Sequence, residues 1–334
     1  MSFHFWSRSE VRVGSEPVPV GRGRRGADLK AFTCDHYVVP LPRGHRFPME
    51  KYRLLREAVA ASRLVPSEDL VAPEPATDQQ ILRAHDRTYL EAVKAGRLTD
   101  QDVRRMGFPW SLALVRRTRC SIGGTIGACR AALREGVAVN LAGGTHHAFR
   151  DHGQGYCIFN DSVIAVRVLQ AEGHIDGAVI LDGDVHQGNG TASLAADDPT
   201  ILTFSVHGER NFPLRKEKSD IDIGLDDGTR DIEYLDAWES GLRQALERSG
   251  ADLAIYLAGA DPFRDDRLGR LALSKAGLAE RDELVFEHCR RAGVPVAVVM
   301  GGGYGRRVED TVQIHLETVR LAAAAWERSR RNSC

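Results

Sequence analysis

Two carboxylates and an imidazole stand at alternate positions in Leu181-Asp182-Gly183-Asp184-Val185-His186-Gln187-Gly188-Asn189-Gly190, directly after the apolar run Ala178-Val179-Ile180. In a strand, the two-residue period would put Asp182, Asp184 and His186 on one face. Such a trio at a strand end can hold a divalent cation, and the interleaved glycines let the following turn come close to it. A set of carboxylates and imidazole with one open position for water or a substrate carbonyl is what separates catalytic from structural zinc. Asp184 and His186 are the first ligands expected. Asp261 is the natural third, because it ends another buried run, where a carboxylate needs a partner charge. Asp261-Pro262 reads equally as a helix N-cap with proline at the first helical position. Asp265 and Asp266, beside Arg264 and Arg267, read as solvated pairs.

His146-His147, after Gly143-Gly144, supplies what water beside such an ion needs. A neutral imidazole held in one tautomer can take its proton and later deliver it to a leaving amine. Tyr304, after Gly301-Gly302-Gly303, can donate to an oxyanion opposite the metal. That glycine loop has neither a G-x-G-x-x-G nor a Walker lysine, so a phosphate cradle is set aside. His4, His36, His85, His174, His288 and His315 read as structural.

These residues need a scaffold that brings them together. Val137–Leu141, Ala178–Ile180, Ile201–Phe204, Leu253–Leu257 and Val296–Met300 are short, continuous apolar runs, as in strands of a parallel sheet buried on both faces. Helix-length stretches separate them, at Ser162–Ala171, Ile232–Arg248, Lys275–Arg291 and Glu309–Trp326. The alternation predicts an α/β domain: one open, mostly parallel sheet with helices on both faces. Ligands of such sheets bind beyond the carboxyl ends of the strands, where every polar cluster above lies. Phe32-Thr33-Cys34 reads as the first strand and Met49–Ser62 as the first helix. Residues 1–30, with Gly, Pro and a basic cluster at Arg22, Arg24 and Arg25, read as a flexible extension preceding one domain over residues 31–334.

Composition narrows the function. The 334 residues are 43% hydrophobic with a net charge of −1 and no bilayer-length apolar run, so neither nucleic acid nor a membrane is an expected partner. Six cysteines without C-x-x-C spacing, and no apolar core of signal-peptide type, predict inert thiols in a reducing cytoplasm.

Gly143-Gly144-Thr145-His146-His147-Ala148, the run Asp182–Gly190, Gly259-Ala260-Asp261 and Gly301-Gly302-Gly303-Tyr304 together resemble, in content and order, the motif set of the zinc-dependent histone deacetylase family of the arginase/deacetylase superfamily. The resemblance runs from about Phe32 to Ala324 and takes in Gly44–Pro48, Lys51 and Gly107-Phe108-Pro109. Gln187–Gly190 is most similar to the class IV branch and its bacterial relatives. The resemblance implies one zinc ion held by Asp184, His186 and Asp261, with His147 as general base and acid, His146 as its electrostatic and orienting partner, and Tyr304 on the acyl oxygen. It further implies a potassium ion near Asp182 and Ser205, and an acyl-lysine tunnel shaped by Gly155 and walled by Tyr156 and Phe212. Asn189 stands where several branches have an aspartate behind the second histidine, and a neutral amide stabilises imidazolium less. The expected reaction is hydrolysis of the ε-acyl amide of a protein lysine, acetyl or longer, without a covalent acyl-enzyme. Alternatives are a small acylated amine such as acetylpolyamine, less favoured because no long insertion stands around Ala95–Met106, and a silent acyl-lysine binding scaffold. A ureohydrolase with two manganese ions would need more bridging carboxylates.

Overall fold

The computed structural model describes residues 29–331. The expected extension, with its basic cluster, and also His4 and Cys334 lie outside these residues. The boundary differs slightly from expectation, since Leu29 is already buried and Lys30 opens the first strand.

Eight strands form one sheet: β1 Lys30–Phe32, β2 Leu70–Val71, β3 Val137–Asn140, β4 Ala178–Asp182, β5 Ile201–Gly208, β6 Ile221–Leu225, β7 Leu253–Leu257 and β8 Val296–Val299. Their order is β2-β1-β3-β8-β7-β4-β5-β6, and every pairing is parallel. The helices are α1 Lys51–Ser62, α2 Asp78–Ile81, α3 Arg87–Ala95, α4 Asp100–Met106, α5 Leu112–Glu135, α6 Asp161–Ala171, α7 Asn189–Ala195, α8 Asp231–Ser249, α9 Lys275–Ala292 and α10 Val308–Arg331.

The continuous apolar strands have a simple cause. In β7, Ala254 and Tyr256 enter the core under α1, α8, α9 and α10, while Leu253, Ile255 and Leu257 enter the core under α3, α5 and α6. A strand with a core on each side has no polar face to show. Each large apolar side chain buried this way stabilises the fold by roughly 1.5–3 kcal/mol.

The differences from expectation have local reasons. Pairing with β2 and β3 begins at Lys30 and ends at Phe32, so the first strand lies two residues earlier than Phe32–Cys34. The first helix starts at Lys51 because Pro48 and Met49 are spent on a turn whose last bond runs from Lys51 N–H to Pro48 O. The edge strand β6 alternates buried and exposed residues and so lacks the continuous apolar signature. The 24-residue α5 is masked by Gly123, Gly124 and Gly127, which disfavour helix by composition. Here they admit neighbours, since a β-carbon on Gly124 would stand 2.7 Å from Asn140 Oδ1 and one on Gly127 2.7 Å from the Phe32 ring. Among the described residues no helix is long and apolar enough to cross a membrane. Their five cysteines are buried and free.

Candidate active site

Strands β3, β4, β7 and β8 lie side by side at the sheet centre, and the loops leaving their carboxyl ends carry the chemistry. Strand β4 stops at Asp182, so the alternation of Asp182, Asp184 and His186 is not a strand period. The loop shapes itself instead: Asp184 N–H donates to Asp182 Oδ1 (3.1 Å) and His186 N–H to Asp184 Oδ1 (2.9 Å). Asp261 caps no helix, because turns follow it. Its Oδ1 accepts from Val185 N–H at 2.9 Å, which draws the β7 loop onto the β4 loop.

Asp184, His186 and Asp261 converge with one ligand atom each, all within 4.8 Å of one another and all buried. His186 Nδ1 lies 2.9 Å from Asp184 Oδ1 and 3.2 Å from Asp261 Oδ2. The pair of buried carboxylates is balanced only by protons or by a cation. Burial, then the neighbouring Asp184, raises Asp261 to about 7. Burial opposes charge on His186, yet Asp184 and Asp261 raise it to about 10. Asp261 Oδ2 is buried and accepts no well-formed hydrogen bond, a costly condition that a metal bond relieves. The donor set suits zinc or a similar divalent ion. A divalent cation therefore fits these residues.

Gly302 completes the cradle, with its N–H donating to Asp184 Oδ2 at 2.6 Å. A β-carbon at Gly302 would overlap Asp261 Oδ2 and stand 2.5 Å from Asp184 Oδ2. Gly302→Ala is expected to weaken metal affinity about 100-fold by forcing these oxygens apart. Competition titration against a chelator, with thermal unfolding as a check on folding, measures this; unchanged affinity would refute the cradle.

The tandem histidines are held differently. His146 Nδ1 meets Asp182 Oδ2 at 2.6 Å, whereas His147 Nδ1 meets Asn189 Oδ1 at 2.7 Å. Burial disfavours the charged ring of His146, but Asp182 and Asp184 outweigh it and raise the ring to about 9. For His147, burial and then repulsion from His146 and His186 act together, and hold it well below the usual histidine value. His147 is thus the neutral imidazole of the pair. Asn189 is held in turn, its Nδ2 donating to Gln154 Oε1 at 2.8 Å. That bond orients the Asn189 oxygen toward His147, so His147 Nδ1 carries the proton and Nε2 is left as the acceptor.

Tyr304 is fixed through its backbone. Its N–H donates to Asp266 Oδ2 at 2.6 Å, and its carbonyl accepts from Arg267 Nε at 2.9 Å. Asp266 is therefore not a solvated ion: it is buried, and also accepts from the N–H groups of Leu268 and Gly269. Burial, reinforced by Asp184 and Asp261, keeps the Tyr304 phenol well above its ordinary value, and hence a donor. Lys51 is buried, its Nζ 3.3 Å from Gly303 O and 5.3 Å from the centre of the Tyr304 ring.

His147, His186 and Tyr304 open into a cavity of about 310 Å³ whose wall includes Gly155, Tyr156 and Phe212. Gly155 has φ +53°, and a β-carbon there would stand 2.6 Å from His147 Cδ2. The Phe212 ring lies edge-on to His147 with centroids 5.0 Å apart, and is 39% exposed, which places it at the mouth. The loop carrying it begins only after Gly208, because β5 extends four residues beyond Phe204. Lys216 is no free basic group in that loop: its Nζ donates to the carbonyls of Glu209, Asn211 and Pro213. Ser205 stands across the β4–β5 register from Asp182, and its hydroxyl pairs with His207 Nδ1 at 3.0 Å.

The other histidines stand apart from the cavity. Burial lowers His85 to about 4 and His315 to about 3, so both are neutral parts of the core. His174 and His288 lie beside Glu172 and Glu239.

Sequence reasoning missed Arg281. This fully buried residue of α9 donates from Nη1 to Gly183 O (2.9 Å) and Gly259 O (2.8 Å), the carbonyls of the two loops that bear Asp184 and Asp261. The signal available was an arginine, followed by Asp282, on the apolar side of the α9 pattern.

The family profile of the histone deacetylase domain matches residues 45–319. The chain belongs to the histone deacetylase family. An uncharacterized protein of Picosynechococcus sp. is 44% identical over 279 residues, covering 84% of this chain and 93% of that protein. Histone deacetylase 2 of Arabidopsis thaliana is 28% identical over 284 residues, 80% of this chain and 73% of its own. Among solved structures, an HDAC homolog from Aquifex aeolicus superposes with a TM-score of 0.77 at 22% identity, over 89% of this chain and 84% of that one. The histone deacetylase fold is thus shared, and the family match makes the chain a hydrolase of that family.

Proposed function

We propose that this member of the family is a zinc-dependent hydrolase of acylated amines, acting on the ε-acyl amide of lysine side chains in proteins. The observation that carries this reading is that His186 of a cation-fitting triad, a neutral histidine with a free acceptor nitrogen and a buried phenol donor all face one cavity. Asp184, His186 and Asp261 would hold the zinc. When bound, it polarises the acyl carbonyl and makes water a better nucleophile.

The chain's own residues supply the rest. His147 Nε2 takes the proton of the attacking water as oxygen adds to the acyl carbon. Tyr304 donates to the oxygen that becomes negative. Asp182 fixes the ring of His146, and Asn189 keeps His147 in the accepting tautomer. Cleavage of the C–N bond then follows as His147 returns its proton to the amine, leaving a carboxylic acid and a free amine; the acid's remaining proton passes to the amine, so carboxylate and ammonium depart. The aromatic walls of Tyr156 and Phe212 accept a neutral acylated stem, and the desolvation cost of an ammonium excludes the free lysine.

Potassium beside Asp182 and Ser205 would act as a structural charge below the site. Cytoplasmic residence accords with the five free thiols among the described residues, and Gln187–Gly190 supports a place near the class IV branch and its bacterial relatives. An acetylpolyamine is the second substrate considered, since the same chemistry would cleave any acylated amine whose carbonyl reaches it.

The test is turnover of lysine peptides bearing acetyl through long-chain acyl groups, beside acetylated polyamines, with metal quantified on the same samples. One zinc per chain and peptide hydrolysis abolished by chelation are expected. One bound zinc with no hydrolysis of any acylated amine would leave only the binding-scaffold reading.

A further inference from the structure

The wall of the catalytic cavity carries charge as well as rings. Arg104 and Arg105, in the last turn of α4, line it, and no carboxylate does. Some exposed arginines of this protein find acids, as Arg290 and Arg291 do at Glu287 and Arg320 at Glu317, while others such as Arg116 and Arg243 stand on open surface; what sets Arg104 and Arg105 apart is that they line the cavity. No ion pair joins Arg104 or Arg105 to an acid among the described residues. The acid closest to them in sequence, Asp102, is committed to the start of α4, where its Oδ2 accepts from the N–H and the hydroxyl of Thr99. Lys216, on the loop opposite, is turned onto three carbonyls. Asp102 is near enough to feel Arg105, but no carboxylate bonds to either guanidinium, and two such groups beside a low-dielectric cleft leave a positive potential at its mouth.

The geometry of the reaction says what meets them. The acyl group must reach the triad at the inner end, so the amine stem runs outward and its attachment lies at the mouth. Resting on the hydrolase reading above, we infer that Arg104 and Arg105 select acylated amines bearing a carboxylate just beyond the stem. That carboxylate comes either from Asp or Glu beside an acyl-lysine in a protein or from the α-carboxylate of a free Nε-acyl amino acid. Both present the planar anion that arginine binds with two parallel hydrogen bonds. A stem that continues into ammonium groups, as in a polyamine or a Lys- and Arg-rich tail, meets repulsion there instead.

The experiment uses the full, metal-replete protein and acetyl-lysine peptides blocked at both ends, with acidic, neutral or basic flanks, together with free Nε-acetyl-lysine and its amide. Acetate release gives kcat/KM, and fluorescence anisotropy of labelled peptides gives affinity independently of turnover. Acidic flanks are expected to exceed basic ones about tenfold in both readouts. The ratio should shrink several-fold between about 50 mM and about 0.5 M salt. In the double variant Arg104→Glu, Arg105→Glu the preference should invert. The double variant Arg243→Glu, Arg248→Glu, the same charge change at exposed positions of α8, should keep it. A preference confined to the free amino acid over its amide assigns the carboxylate to the α position; one seen in blocked peptides assigns it to protein side chains. Equal handling of acidic and basic partners, or a preference that survives in the double variant, overturns the inference. Preferential binding of acidic peptides without hydrolysis would sink the hydrolase reading and leave the inference about the mouth standing.

Discussion

His147→Ala is expected to lower kcat about 10³-fold while metal content stays at one ion per chain. The argument rests on the asymmetry of two adjacent rings. His146 faces a carboxylate and is raised toward the charged form; His147 faces an amide and is held neutral by burial and by its neighbours. Only a neutral ring can accept the proton of water, so the loss should fall on kcat with little change in KM, since no contact to the ground-state stem is removed. Steady-state kinetics with metal analysis check it. A His147→Ala enzyme within a few-fold of wild type would show that another group takes the proton.

Arg281→Met is expected to destabilise the fold by about 3–5 kcal/mol, because it strands a buried carboxylate. Asp282 Oδ1 accepts from Arg281 Nε (3.1 Å) and Nη2 (2.9 Å) and from Tyr256 OH (2.5 Å), and its Oδ2 accepts from Thr318 Oγ1 (2.6 Å). Removing the guanidinium leaves that charge unbalanced and two loop carbonyls without donors. The double variant Arg281→Met, Asp282→Leu should recover part of the stability, since paired charges can be replaced together. It should not recover metal affinity, because Gly183 and Gly259 remain untied. Urea unfolding and chelator competition on the same proteins separate the two effects. An Arg281→Met unfolding midpoint equal to that of wild type would refute the clamp.

Much of this architecture is legible in the sequence because it follows from one-dimensional pattern. The doubly buried strands write themselves as runs such as Leu253–Leu257, and parallel topology sends their carboxyl ends to one side. The triad residues, the tandem histidines and Tyr304 follow from that rule and from the family resemblance. The illegible parts depend on three-dimensional partners. Asp266 looks like a surface acid until the backbone of Tyr304 is seen to fold onto it. Gln154 acts only through Asn189, 35 residues away, and Arg281 acts on carbonyls, which have no sequence identity to read. Edge strand β6 and the glycine-bearing α5 escape because their local composition argues against the state their neighbours impose.

The seating of Asp184 and Asp261 on the loops of adjacent strands also bears on how the protein is made. Strands β4 and β7 pair directly, but β5, β6 and α8 intervene in the chain between them. A nascent chain emerging from the ribosome has Asp184 and His186 long before Asp261 is synthesised, and the last ligand arrives only when β7 has docked against β4. Closing so long a loop is slow compared with forming helices. Capture of a metal by this triad would therefore be a late event in biogenesis, a seal on a sheet already assembled rather than a nucleus around which it condenses.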